Sequence, residues 1–197
     1  MSLEAKELGF GYRRKPVLEG INLTVRAGER VGLAAPSGRG KTTLCKLLAG
    51  YMRPNCGSVL LDGKPLPQKG YCPVQMIWQH PELALDPRMR LGDALAEAGA
   101  DGDGRLLDAL QIQPAWLSRF PRELSGGELQ RFCIARALCK PVRFVLCDEI
   151  SAMLDLVTQA QLWDFLLREA AQRQLGLLIV SHDAALLKRL CTRIEHI

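Results

Sequence analysis

The chain has 197 residues, 48% of them hydrophobic, which is room and apolar surface for one domain or a core with a small subdomain. Its formal net charge of +5 comes from scattered Lys and Arg with no basic run interleaved with aromatics, so it speaks for a solvated surface and against a nucleic-acid face. No apolar run approaches the ~18 residues of a membrane span, and no signal-peptide pattern is present, so any work at a membrane is expected to go through a partner.

In chain order, residues 3–31 alternate short apolar runs with turn signals. Val17-Leu18 and Ile21 to Val25 are predicted strands, and Ala27-Gly28-Glu29 a turn. Val31 to Ala34 is a predicted buried strand, and Thr42 to Ala49 a helix that stops at Gly50. Val59 to Leu61 with Asp62-Gly63 predicts a strand and hairpin turn. Residues 91–117 carry helical patterning broken by the Gly/Asp-rich stretch Gly99 to Gly104. Leu129 to Leu138 and Leu156 to Ala171 are predicted helices, and Phe144 to Cys147 and Leu177 to Val180 are short buried strands. Buried strands alternating with helices predict an α/β fold with a mostly parallel sheet covered on its faces. There are no internal repeats. The seven cysteines show no metal spacing and no CxxC, which predicts a reducing compartment. Cys45, Cys133, Cys139 and Cys147 fall in apolar segments and read as small core residues, while the pattern does not place Cys56, Cys72 or Cys191.

The chemistry is carried by segments far apart in sequence. Ala35-Pro36-Ser37-Gly38-Arg39-Gly40-Lys41-Thr42-Thr43 follows a buried strand and opens a helix, the context of a phosphate-binding loop. Its glycines let backbone N–H groups wrap phosphates, Lys41 can reach the β- and γ-phosphates, and the Thr42 hydroxyl can ligate Mg²⁺. Ala35 stands where the usual pattern has Gly. The strand ending in Asp148-Glu149 is weak evidence alone, since a capped strand end has the same look. After such a loop it reads as the second half of an ATPase site, with Asp148 toward Mg²⁺ and Glu149 placed to polarise water. In Leu124-Ser125-Gly126-Gly127-Glu128-Leu129-Gln130-Arg131, Ser125 and Glu128 form a capping-box pattern, and the glycines allow close approach of an anion to a helix N-terminus. Two phosphate-facing elements this far apart suggest that two copies share each nucleotide.

The order of these motifs, with Gln79 and His182 in their places, resembles an ABC-transporter nucleotide-binding domain over nearly the whole chain. The resemblance implies a P-loop core, a small antiparallel β-subdomain and a helical subdomain at roughly residues 80–138. It implies that Tyr12 stacks on adenine, where an ordinary half-buried tyrosine is the alternative. It implies further that Gln79 senses Mg²⁺ and the attacking water, that Asp155 lies at a dimer interface, and that His182 contacts the γ-phosphate. Ser125, Gly126 and Gly127 would reach the nucleotide of an opposing copy. The stretch Trp78 to Arg88 resembles ATPases of oligopeptide and nickel importers, with Gln79, Pro81, Leu85, Pro87 and Arg88 matching, and His80 and Asp86 departing. Ile150 and Ala152 depart from the family's common Pro and Ser, and Ile197 falls about where the family adds a last hairpin and tail.

The expected cofactors are therefore ATP and Mg²⁺. The expected partners are a second ABC ATPase domain, membrane permease subunits and, indirectly, a solute-binding protein, with no nucleic acid. The expected place is cytoplasmic, on the inner face of the membrane. An ABC-type ATPase docked on a soluble enzyme assembly, as in phosphonate degradation, is the alternative. A catalytically silent scaffold conflicts with the intact Lys41, Asp148, Glu149 and His182, and a nucleic-acid-linked ATPase would bring a second cassette or a long coiled coil.

Overall fold

The computed structural model describes residues 1–197 apart from Arg14, Ser37, Asp101, Gly102, Lys140 and Met153. The N-terminal alternation forms β1 (Ser2–Tyr12) and β2 (Lys15–Arg26), which pair antiparallel. The two short strands expected at 17–18 and 21–25 are thus one long strand, which bends through register shifts against β1 and does not break at Gly20. With β4 (Cys56–Leu61) and β5 (Lys64–Pro65) they make a four-stranded sheet of order β2-β1-β4-β5, and Asp62-Gly63 turn the last hairpin at positive φ as expected. Gly57 is demanded where β4 passes the bulge in β1. Its φ is 74°, and a Cβ there would lie 2.2 Å from the Glu7 carbonyl oxygen.

The second sheet is parallel, in the order β6-β7-β8-β3-β9. Its strands are β3 (Arg30–Ala34), β6 (Val74–Ile77), β7 (Phe144–Asp148), β8 (Gly176–Val180) and β9 (Arg193–His196). Every residue of β7 and β8 is buried, the signature of central strands covered on both faces. Successive residues serve opposite cores. Phe144, Leu146, Leu178 and Val180 pack toward the antiparallel sheet and α1 (Lys41–Leu48). Val145, Cys147, Leu177 and Ile179 pack toward α4 (Gly126–Ala137), α5 (Leu156–Arg173) and α6 (Ala184–Leu190).

The pattern at 91–117 resolves into two short helices, α2 (Leu91–Glu97) and α3 (Gly104–Ala109), then a 3-10 turn at Pro114–Trp116. The break falls where Gly99 takes a φ of 70°, past the end of α2. This helical part is tied to the core by Arg105 of α3, which donates to both carboxylate oxygens of buried Glu169 on α5, at 2.8 and 3.2 Å. Cys45, Cys133, Cys139 and Cys147 are buried as expected, Cys56 is exposed, and Cys72 and Cys191 are half-buried. Among the described residues no helix is long and apolar enough to cross a membrane.

Candidate active site

Parallel pairing brings the carboxyl ends of four strands to one edge of the sheet. Ile77 pairs with Cys147, and Val180 pairs with both Asp148 and Leu33. The residues that follow these ends are Gln79, Glu149, His182 and the loop at 35–40, so segments more than a hundred residues apart meet on one crevice.

The loop joins β3 to α1 through Gly40, whose left-handed backbone (φ 84°) is the N-cap of the helix. A Cβ on Gly40 would lie 2.8 Å from Val17 Cγ1 and 3.0 Å from Leu18 Cδ2, so the antiparallel sheet closes that side of the loop. A Cβ on Gly38 would meet nothing within 4 Å, so the loop is open there. Lys41 is buried, and its ammonium donates to the carbonyl oxygens of Ala35 (2.7 Å) and Pro36 (3.2 Å). The loop is thus wrapped around its own lysine. Arg39 is exposed, and Thr42 and Thr43 are half-buried in the first turn of α1. Ser37, an expected phosphate contact, lies outside the described residues.

Glu149 is the hub. Lys41 Nζ stands 3.8 Å from one carboxylate oxygen, while His182 Nδ1 (3.4 Å) and Gln79 Nε2 (3.5 Å) face the other. Its backbone is left-handed, with φ of 50°, unusual for a side chain of this size. That conformation is held by Glu149 N–H donating to the Val180 carbonyl (3.1 Å) and by Ala152 N–H donating to the Glu149 carbonyl (3.1 Å). Asp148 beside it is 2% exposed. Burial pushes its carboxyl above the usual carboxylate range and the Glu149 charge adds to this, while a side-chain hydrogen bond from Thr42 and the charges of Lys46 and Lys41 oppose it.

Ser125 caps α4 as the sequence indicates. Glu128 N–H donates to Ser125 Oγ (3.4 Å), and Ser125 N–H donates back to the Glu128 carboxylate (2.8 Å). A Cβ on Gly126 would meet nothing within 4 Å. Among the described residues, no hydrogen bond or ion pair joins Ser125–Gly127 to residues 35–43 of the same chain. Tyr12 is 51% exposed, set edge-on to Phe10 with centroids 4.9 Å apart. Asp155 caps α5, accepting from Val157 N and Thr158 N, both at 3.0 Å.

The family model described as ABC transporter matches residues 18–152, from β2 through the crevice and past Glu149. The chain belongs to the ABC transporter family. A nickel import system ATP-binding protein, NikE of Staphylococcus aureus, is 34% identical over 98% of this chain and 84% of its own length. The ATP-binding subunit of an ABC transporter superposes with a TM-score of 0.84 at 26% identity, over 100% of this chain and 86% of that one. A dimeric bacterial ABC transporter cassette superposes equally well, TM-score 0.84, at 21% identity over 99% and 94% of the two chains. The protein is thus an ABC ATPase, a nucleotide-binding and ATP-hydrolysing enzyme of α/β fold.

The ABC ATPase gathers Lys41, Gln79, Glu149 and His182 in one crevice, with Thr42 and Asp148 at its floor. It leaves Ser125, Gly126 and Gly127 on a separate exposed helix end, and Tyr12 on the rim of the antiparallel sheet. What sequence patterning missed is Ser151, buried two residues after Glu149 and hydrogen-bonded to Trp163. A lone Ser and a helix Trp carry no motif that announces their contact.

Proposed function

We propose that this ABC ATPase hydrolyses ATP to power import of a small solute, of the peptide, nickel or metal-chelate class, through separate membrane permease subunits. The observation that carries the reading is the convergence of Lys41, Gln79 and His182 on Glu149 at the carboxyl edge of the sheet. Similarity to a nickel import ATP-binding protein along 98% of the chain supports the solute class. The single domain consists of the P-loop core, with residues of roughly 80–138 as a helical subdomain, and sits peripherally on the inner face of the membrane.

In this reading Lys41 leaves the Ala35 and Pro36 carbonyls and meets the β- and γ-phosphates, together with backbone N–H groups of residues 35–43. Tyr12 offers its exposed ring face to adenine. Asp148 and Thr42 suit Mg²⁺: their donors are hard oxygens, and a buried carboxylate crowded by a second one is relieved by a cation. Gln79 completes that set, and the ion when bound neutralises phosphate charge. Glu149 accepts a hydrogen bond from the attacking water and draws on its proton, while His182 donates toward the γ-phosphate. Ser125, Gly126 and Gly127 serve the nucleotide of a second ABC ATPase domain. The open face at Gly126 and the absence of same-chain contacts to the P-loop among the described residues support that division.

The test is uptake of radiolabelled nickel and of a labelled dipeptide by cells whose copy of this chain carries Lys41→Ala. Loss of one or both, with the permease still in the membrane, is the expected result. Uptake of both at the wild-type rate would remove the transport role and favour a soluble assembly.

A further inference from the structure

Glu149 holds an unfavourable backbone conformation, so something must keep the 149–155 loop in place. Besides Glu149 N–H to the Val180 carbonyl, the backbone bonds within this loop among the described residues are Ala152 N–H to the Glu149 carbonyl and Leu154 N–H to the Ser151 carbonyl at 3.2 Å. The one side chain of this loop that is buried and polar, among the described residues following Glu149, is Ser151, at 5% exposure. Its Oγ accepts two hydrogen bonds from α5, one from Trp163 Nε1 (3.1 Å) and one from Gln159 Nε2 (3.0 Å). Trp163 is itself 4% exposed, so the indole N–H has no water to turn to if Ser151 is lost. The same groups wall a cavity that also contains Glu149, His182 and Ser181, which puts the anchor and the catalytic carboxylate on one small space.

We infer that Trp163, acting with Gln159 through Ser151, is a positioning residue that holds Glu149 aimed at Lys41, Gln79 and His182. This rests on the reading of Glu149 as the group that activates water. The indole N–H is committed to Ser151 Oγ, and α5 supplies the rigid mount. An eighteen-residue helix that buries Leu162, Trp163, Leu166 and Ala170 in the core is a steadier reference than a loop held by a few backbone bonds. Misaiming the carboxylate slows the chemical step while leaving the phosphate-binding loop, Tyr12 and the floor of the crevice as they are. The expected signature is a fall in kcat with little change in affinity for nucleotide.

The experiment compares Trp163→Phe, Ser151→Ala, the double variant and Ser151→Thr in the full chain, measuring kcat, KM, calorimetric Mg-ATP affinity and Tm. The loss of one buried hydrogen bond should lower kcat about three- to tenfold in each single variant, with KM and affinity within about twofold of wild type. The double variant should be no slower than the slower single one, and Ser151→Thr, which keeps the acceptor, should retain most of the rate. A Trp163→Phe or Ser151→Ala protein with wild-type kcat would overturn the inference. So would a fall in kcat matched by an equal loss of affinity. Glu149→Gln is assayed in the same series: if it hydrolyses ATP at the wild-type rate, the site reading itself fails, whereas a slow Glu149→Gln beside a normal Trp163→Phe removes only the positioning role.

Discussion

Replacing Glu149 with glutamine should make the protein bind ATP more tightly while nearly stopping its hydrolysis. The reason lies in what Lys41 must give up. Its ammonium stands 3.8 Å from the Glu149 carboxylate, with 6% and 17% of the two side chains exposed. Unit charges about 4 Å apart attract by about 4 kcal/mol at an effective dielectric of ~20. Solvent reaching the carboxylate, and its competing contacts to His182 and Gln79, reduce the net value to about 1 kcal/mol. Glutamine keeps the shape and removes that attraction, and it also removes like charge from the place where a triphosphate sits. Mg-ATP affinity should therefore rise about fivefold, the equivalent of about 1 kcal/mol. The chemical step should fall by about 10²-fold or more, the scale of a lost general base. Calorimetric titration gives the first quantity and steady-state phosphate release the second. Weaker binding by Glu149→Gln would show that the carboxylate does not compete for Lys41, and wild-type turnover would remove it from catalysis altogether.

Lys41→Ala should weaken Mg-ATP binding and abolish hydrolysis, and a titration with unchanged affinity and turnover would contradict the phosphate-loop assignment. Gly126→Asp should still bind ATP on its own P-loop but fail to hydrolyse it, since a carboxylate would face the γ-phosphate of the opposing copy; normal turnover in this variant would remove the shared site. Asp148→Asn tests burial of charge. A raised folded-state pKa means the native chain holds a proton that the unfolded chain has released, so Asp148 costs stability as pH rises through and above the ordinary carboxylate range. The variant should therefore show a higher Tm than wild type at neutral pH, and the gap should close as pH falls below that range; a gap independent of pH would contradict the burial argument. Gly176→Ala should lose about 1–3 kcal/mol of stability by overpacking. Its Cβ would lie 2.5 Å from Phe144 Cδ1 and 2.8 Å from the Arg26 carbonyl, and an unchanged denaturation midpoint would show that β8 can shift to absorb it.

The parts of the site legible in the sequence are those whose physics is local. A helix cap such as Ser125 with Glu128 is written within four residues, and a strand buried on both faces, such as Phe144–Asp148, cannot show alternation. The phosphate loop is visible because it needs glycine at Gly40, where both backbone and neighbours forbid a side chain. The convergence of Lys41, Gln79 and His182 on Glu149 is not local: it follows from strand order, and the resemblance to a family supplied it before the fold did. The 91–117 region shows in its sequence both the helical pattern and the break at Gly99 to Gly104, while the 3-10 turn at Pro114–Trp116 is not distinguished from helix by period. Ser151 and Trp163 left no trace in the pattern, since a buried hydrogen bond between a loop and a helix has no spacing rule.

The order of strands in the parallel sheet also sets a schedule for the chain as it is made. β3, which delivers the phosphate loop, lies between β8 and β9 in that sheet, its only strand neighbours there among the described residues. Both lie beyond residue 175, while β3 ends at Ala34. During synthesis, an apolar strand with both hydrogen-bonding edges bare must wait for most of the polypeptide to emerge. Its antiparallel neighbours can fold early, but they cover its face and cannot pair its edges. Nascent chains arrested before residue 176 should therefore be prone to aggregate or to recruit chaperones, and ATP binding should appear late and abruptly, when β8 slots between β3 and β7.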